Sequence, residues 1–310
     1  MNLEIKNIEK KYDNTSILND ISFTLQPGIY GLLGANGAGK STLLRIICGV
    51  TRANKGTVNY NNTDIFERFE NYRSILGFLP QEFKYYPELT GLKFMMYIAA
   101  LKGVDKKSAR ERCEELLKIV GLNDVKNKKI RKYSGGMKQR LGIAQVMIND
   151  PKILILDEPT VGLDPKERIK FRNLIGSLSN EKIVILSTHI VSDVAYIADE
   201  ILIIKKGCLI NRGIATELVK EIEGQVWECS IPQKMVAELS TKYIVSNQKH
   251  EDDRLILRVI SKNRPEENAI QVEPTLEDLY LYYFREEETR LTRDVNFWVI
   301  IQYRYKKSRP

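Results

Sequence analysis

The chemistry of this chain starts at Gly34-Ala35-Asn36-Gly37-Ala38-Gly39-Lys40-Ser41-Thr42. It satisfies every fixed position of the phosphate-binding pattern G-x-x-x-x-G-K-[ST]. Glycines at these positions let a loop wrap so that its N–H groups point inward at an anion. Lys40 adds a full positive charge for the outer phosphates, and Ser41 offers a hydroxyl to a magnesium ion. A second set of groups lies in Ile153-Leu154-Ile155-Leu156-Asp157-Glu158. Four apolar residues ending in two carboxylates describe a buried parallel strand with acid at its tip. One carboxylate can hold magnesium, and the next can orient or deprotonate a water.

Three more residues sit where chemistry could occur, each with a plainer alternative. Gln81 follows Ile75-Leu76-Gly77-Phe78-Leu79-Pro80, an apolar run stopped by proline. It falls at a strand's C-terminal edge, where ligands of open α/β sheets bind, or it is a surface loop residue. His189 ends Ile183-Val184-Ile185-Leu186-Ser187-Thr188 in the same way, and a lone histidine is commonly structural. Tyr12 lies between two short strands, free to stack on a base or to sit half-buried at a strand end. Ser134-Gly135-Gly136 precedes another helix. It is a second potential anion cradle or an ordinary cap with Ser134 as N-cap.

These groups need elements to hold them. Ile29–Leu33 reads as a buried strand entering the glycine loop, and Ser41–Cys48 as a helix leaving it, with Gly49 as its stop. Alternation at Leu3, Ile5 and Ile8, and again over Ile21–Leu25, predicts two strands before the loop, and Gly56–Tyr60 another after it. Helical patterns fill residues 90–150, over Leu92–Leu101, Ser108–Val120 and Gly142–Ile148. Ile201–Ile204 and Cys208–Ile210 predict a hairpin around Lys206-Gly207.

Beyond about residue 220 the pattern changes. Val226–Ile231, Tyr243–Val245 and Arg254–Ile260 read as short strands without catalytic spacing, and Thr275–Phe284 as a helix. Residues 286–310 form a basic, aromatic tail. Within residues 290–310, Arg290, Arg293, Arg304, Lys306, Lys307 and Arg309 stand against one acid, Asp294, around Phe297-Trp298, which reads as a membrane-surface or partner contact or as a disordered tail.

Composition bounds the class. The 310 residues are 43% hydrophobic and 28% charged, as in a globular protein able to bury a full core. The net charge of +8 comes from scattered lysines interleaved with acids, which reads as solvated surface and not as a nucleic-acid footprint. Cys48, Cys113, Cys208 and Cys229 have no metal-ligand spacing, and with two histidines no structural zinc site is expected. Neither a basic-then-apolar leader nor an apolar run near the ~18 residues of a membrane span is visible, so a membrane role is expected to come through a partner.

Taken together and in this order, the motifs resemble the ATP-binding cassette of ABC transporters over roughly residues 1–220. Gly34–Thr42 resembles Walker A and Ile153–Glu158 Walker B. Gln81 falls at the Q-loop, Tyr133–Gln139 at the signature loop, Asp164 in the D-loop, His189 at the switch position and Tyr12 at the A-loop aromatic. The signature departs from the usual pattern in beginning with Tyr133 and in carrying Met137-Lys138-Gln139 after the two glycines.

The resemblance implies an α/β fold: a P-loop NTPase (ABC ATPase) core with an inserted helical subdomain at about 90–150, plus a small C-terminal α+β accessory unit over 221–285. It implies ATP and magnesium as cofactors. Tyr12, Gly34, Asn36, Gly37, Gly39, Lys40, Ser41, Thr42, Gln81, Ser134, Gly135 and Gly136 would bind nucleotide, and Ser41, Gln81 and Asp157 magnesium. Lys40, Glu158 and His189 would be catalytic, with Glu158 the general base and His189 contacting the γ-phosphate. Two cassettes would face head to tail, each ATP between one Walker A and the other's signature loop. Because all the elements are intact in one chain, a homodimer with two competent sites is expected. It would drive separate membrane-spanning permease subunits from the cytoplasmic face of the membrane. The accessory unit and Pro274–Tyr280 resemble those of bacterial drug, peptide or antibiotic exporters. The alternatives are an importer subunit and a soluble ABC ATPase acting on ribosomes or DNA.

Overall fold

The computed structural model describes residues 1–232, 235–251 and 254–284. The chain divides into two units, Met1–Ile214 and the remainder from Ala215. The division falls earlier than position 220, because the last strand of the first unit is complete at Gly213.

The elements around the loop come first in the chain: β1 (Leu3–Tyr12), β2 (Thr15–Leu25), β3 (Gly28–Leu33), α1 (Lys40–Ile47), β4 (Lys55–Tyr60), β5 (Thr63–Asp64), α2 (Phe69–Ser74) and β6 (Leu76–Leu79). Three helices follow, α3 (Gly91–Leu101), α4 (Lys106–Ile119) and α5 (Gly135–Val146). Then come β7 (Ile153–Asp157), α6 (Pro165–Leu178), β8 (Ile183–Thr188), α7 (Val191–Ala195), β9 (Glu200–Lys205) and β10 (Cys208–Gly213).

Two sheets result. One is antiparallel, in the order β2-β1-β4-β5. Its alternating residues Leu3, Ile5, Ile8, Leu18, Ile21, Phe23 and Leu25 are buried on one face. β2 begins at Thr15, well before the expected Ile21, because a tight turn with Asp13 at φ 49° returns the chain at once beside Tyr12. The other sheet runs β10-β9-β3-β8-β7-β6, with β10 antiparallel and the rest parallel. Its inner strands are apolar without alternation because helices cover both faces of a parallel sheet. Every residue of β7 and β8 is buried.

The parallel register decides where the chemistry goes. Leu33 lies level with Thr188, and Asp157 with Ser187. The C-terminal ends of β3, β7 and β8 therefore deliver the glycine loop, Glu158 and His189 to one edge of the sheet. This is the edge at which open α/β sheets bind ligands.

Helices α3, α4 and α5 pack on buried Phe94, Met95, Cys113, Leu116, Leu117 and Leu141. Thr90, Asp105 and Ser134 cap them by accepting backbone N–H bonds. α5 starts at Gly135 with Ser134 as its N-cap, the capping alternative read from the sequence, and that cap offsets the poor helix propensity of two glycines.

The second unit opens with α8 (Ala215–Leu218) and contains β11 (Val226–Ile231), α9 (Val236–Lys242), β12 (Ile244–Glu251), β13 (Arg254–Ile260) and β14 (Ile270–Gln271). Its four strands form an antiparallel sheet in the order β12-β13-β11-β14, and residues 276–284 are helical. Cys229, Ile231, Leu239, Leu257 and Val259 form its core. Beside them Arg258 binds both carboxylate oxygens of the buried Asp278 at 2.9–3.1 Å. Asp278 also accepts the N–H and hydroxyl of Thr275, each at 2.7 Å. The basic aromatic tail, 286–310, lies outside the described residues.

Candidate active site

The glycine loop wraps between β3 and α1. Gly37 and Gly39 adopt φ of +80° and +103°, which side chains disfavour. Gly34 is required for space: a Cβ there would stand 2.3 Å from the Ile204 carbonyl oxygen. The loop walls a cavity of about 410 Å³ lined by Ile17, Ala35, Asn36, Gly37, Gly39, Lys40, Ser41, Thr42, Gln81 and Glu158. α1 presents its N-terminus there, adding positive potential, and is anchored by buried Leu43, Leu44, Ile46 and Ile47.

Charge is concentrated at the cavity floor. The Lys40 ammonium donates to the Gly34 carbonyl at 2.6 Å and the Ala35 carbonyl at 3.2 Å. It also pairs with Glu158 Oε1 at 3.2 Å, both side chains being about 5% exposed. Glu158 Oε2 meets His189 Nδ1 at 2.8 Å. The two sequence-predicted acid/base residues and the lysine thus form one contiguous chain, Lys40–Glu158–His189. Behind it, the Ser41 hydroxyl donates to Asp157 Oδ1 at 3.1 Å. Ser41 and Asp157 offer oxygen only, the donor chemistry magnesium prefers when phosphates and water complete its shell. The residues present fit that ion.

Other expected residues do not reach this cavity. Tyr12 is 45% exposed at the end of β1, with the Lys10 ammonium 5.0 Å from its ring centroid. Ser134 Oγ accepts the Met137 N–H as the α5 cap. Gly136 is closed on one side by Glu167, whose carboxylate oxygen lies 2.5 Å from where a Cβ would stand, while nothing lies within 4 Å of a Cβ on Gly135. Asp164 caps α6 by accepting the Glu167 N–H at 2.9 Å. Thus Gly136 packs against Glu167, and Ser134, Gly135 and Gly136 are not among the residues lining the cavity with the same chain's Lys40.

Sequence reasoning missed Ile17 and Ser187. Ile17 lines the cavity from β2, a strand with no chemical signature. Ser187 is fully buried, donates to Asp157 Oδ1 at 2.6 Å and accepts the Glu158 N–H at 3.0 Å. A hydroxyl at the tip of the otherwise apolar Ile183–Leu186 was the available signal.

The family model described as ABC transporter matches residues 18–161. The chain is 34% identical to the linearmycin resistance ATP-binding protein LnrL of Bacillus subtilis, over 79% of this chain and 78% of that protein. It is 32% identical to the Nod factor export ATP-binding protein I of Burkholderia lata, over 70% of this chain and 72% of that one. Among solved structures, it is similar to the dimeric ATP-binding cassette MJ0796 in a post-hydrolysis state bound to ADP and Pi. The TM-score is 0.62 at 27% identity, covering 68% of this chain and 98% of that one. The chain belongs to the ATP-binding proteins of ABC transporters and is an ATPase cassette of the P-loop NTPase fold.

Proposed function

We propose that the chain is the ATP-hydrolysing subunit of an exporter, paired with a second copy of itself and held at the cytoplasmic face of a membrane by separate membrane-spanning permease subunits. The observation that carries the reading is the Lys40–Glu158–His189 chain at a glycine-walled cavity of about 410 Å³. Among the described residues no helix is long and apolar enough to cross a membrane, so the path for cargo is assigned to other chains. Export is supported by the Nod factor export for which the Burkholderia relative is named, and a drug-like or antibiotic-like cargo by the linearmycin resistance for which LnrL is named.

On this reading ATP enters the cavity with its phosphates against the loop's N–H groups. Lys40 leaves Glu158 to take the outer phosphates. Ser41 and Asp157, with Gln81 contributing, would hold magnesium, which would supply positive charge to the phosphate oxygens. The freed Glu158 carboxylate is the base for a water attacking the γ-phosphorus, and His189 fixes that carboxylate through Oε2. The open faces of Ser134 and Gly135 would close on the nucleotide of the partner copy, and Tyr12 would stack on the base from its exposed strand end.

The test is the mass in solution of Glu158→Gln by light scattering. With magnesium-ATP, a variant that binds without hydrolysing should shift from monomer to dimer. A monomer that still binds ATP would sink the homodimer. Cosedimentation with membranes from the source cells addresses the location: a soluble pool alone would favour action on ribosomes or DNA.

A further inference from the structure

We propose that Ser187 is the positioning residue of this site, setting both acidic side chains through one hydroxyl. Its single proton is donated to Asp157 Oδ1 at 2.6 Å. Its lone pair accepts the Glu158 N–H at 3.0 Å, and its backbone carbonyl accepts the same N–H at 3.1 Å. The hydrogen-bond direction is therefore fixed: Glu158 N–H to Ser187 Oγ, and Ser187 O–H to Asp157. The arrangement follows from register, since Asp157 and Ser187 are direct neighbours on adjacent parallel strands.

Each half of this bridge has a consequence. Asp157 Oδ1 also accepts the Ser41 hydroxyl at 3.1 Å. Ser187 thus holds that carboxylate against the Ser41 hydroxyl, another oxygen expected to bind the metal. Glu158 stands at φ 48°, a left-handed conformation uncommon for a residue with a side chain. That turn swings its carboxylate back toward Lys40 and His189, and away from the line of β7. The Ser187 hydroxyl and backbone carbonyl both accept the Glu158 N–H; the carbonyl would do so for any residue at this position, and the hydroxyl bond is the part specific to serine. Ser187 is also the point where β8 turns from apolar to polar, fully buried between β3 and β7. The inference rests on the ATP-hydrolysing reading above.

The experiment compares Ser187→Ala and Ser187→Thr with wild type in full-length protein. Fluorescent ADP binding is titrated in EDTA and again in magnesium, and kcat and KM for ATP are measured beside thermal melting. Removing a group that orients a metal ligand costs roughly 10–100-fold in metal affinity or activity. Ser187→Ala should lose about that much of the affinity gained from magnesium, keep its EDTA affinity, and fall in kcat more than it rises in KM. Ser187→Thr, which restores the hydroxyl, should recover most of both. An alanine variant with wild-type magnesium dependence and kcat overturns the proposal, as does a folded threonine variant as impaired as alanine. A general loss of EDTA binding in step with melting temperature also overturns it, since that is the mark of structure alone. Wild-type protein that neither binds nucleotide nor hydrolyses ATP would instead remove the functional reading beneath it.

Discussion

Lys40 cannot serve Glu158 and a phosphate at once, and this makes the substitution Glu158→Gln informative before any chemistry occurs. The two charges stand 3.2 Å apart and are almost fully buried. At an effective dielectric near 20 their gross attraction is about 5 kcal/mol. Much of this returns when the lysine meets phosphate. The part lost is the net worth of a charged hydrogen bond, about 1.5–3 kcal/mol. Glutamine keeps the shape and removes that competitor, so ADP should bind Glu158→Gln roughly 10–100-fold more tightly than wild type. ADP in EDTA is the right ligand, because it avoids dimer closure. Calorimetry at two salt concentrations separates the effects: a buried pair is weakly screened, whereas general repulsion of the anion is screened strongly. The nucleotide-free variant should also unfold more readily than wild type, and the difference should narrow with ADP bound. A folded variant that binds ADP no more tightly than wild type would refute the competition.

Other expectations follow from single contacts. Gly34→Ala places a Cβ 2.3 Å from the Ile204 carbonyl, so the loop must shift and nucleotide affinity should fall at least about tenfold; unchanged affinity would show the loop can yield. Burial alone would raise the Asp278 carboxyl. Its bonds from Arg258, Ser246 and Thr275 outweigh this and hold it below the ordinary 3.8. A lowered carboxyl stabilises fully above the ordinary value, and the contribution is lost as pH falls through the folded one. Asp278→Asn should therefore melt earlier than wild type near neutrality, with the gap closing as pH falls below the ordinary carboxylate value and through the lowered folded one; a gap independent of pH would contradict this. Burial pushes the Cys48 thiol up, and raises Cys113 and Cys229 to about 11, while Cys208 is exposed. A thiol-specific chromogenic reagent at about pH 8 should titrate one cysteine per native chain quickly and the other three only on unfolding; rapid reaction of a second would show local opening.

Much of the site was legible because its chemistry is local. Gly34–Thr42 and Leu156–Glu158 carry strand, turn and ligand together in short stretches, and parallel pairing brings such strand ends to one edge. Ser187 was not legible as a partner of Asp157, because the contact depends on which strands are neighbours and on their register. Ile17 was missed for the same reason. The start of α5 at Gly135 was legible from Ser134, whose cap offsets the low helix propensity of the two glycines. The start of β2 at Thr15 shows a turn without glycine, since Asp13 tolerates the left-handed conformation. Ser134–Gly136 were legible by spacing, yet within one chain Gly136 lies against Glu167 and none of the three lines the cavity. The role proposed for them needs a second molecule, which no reading of a single chain contains.

The central claim is that this cavity hydrolyses ATP with Glu158 as base. Single-turnover phosphate release from radiolabelled ATP tests it directly, using wild type and Glu158→Gln at enzyme concentrations above those needed for saturation. Wild type should release phosphate in magnesium, whereas Glu158→Gln should retain bound ATP while its release falls by about two or more orders of magnitude, as for loss of a general base. Release by the folded variant at the wild-type rate would contradict it.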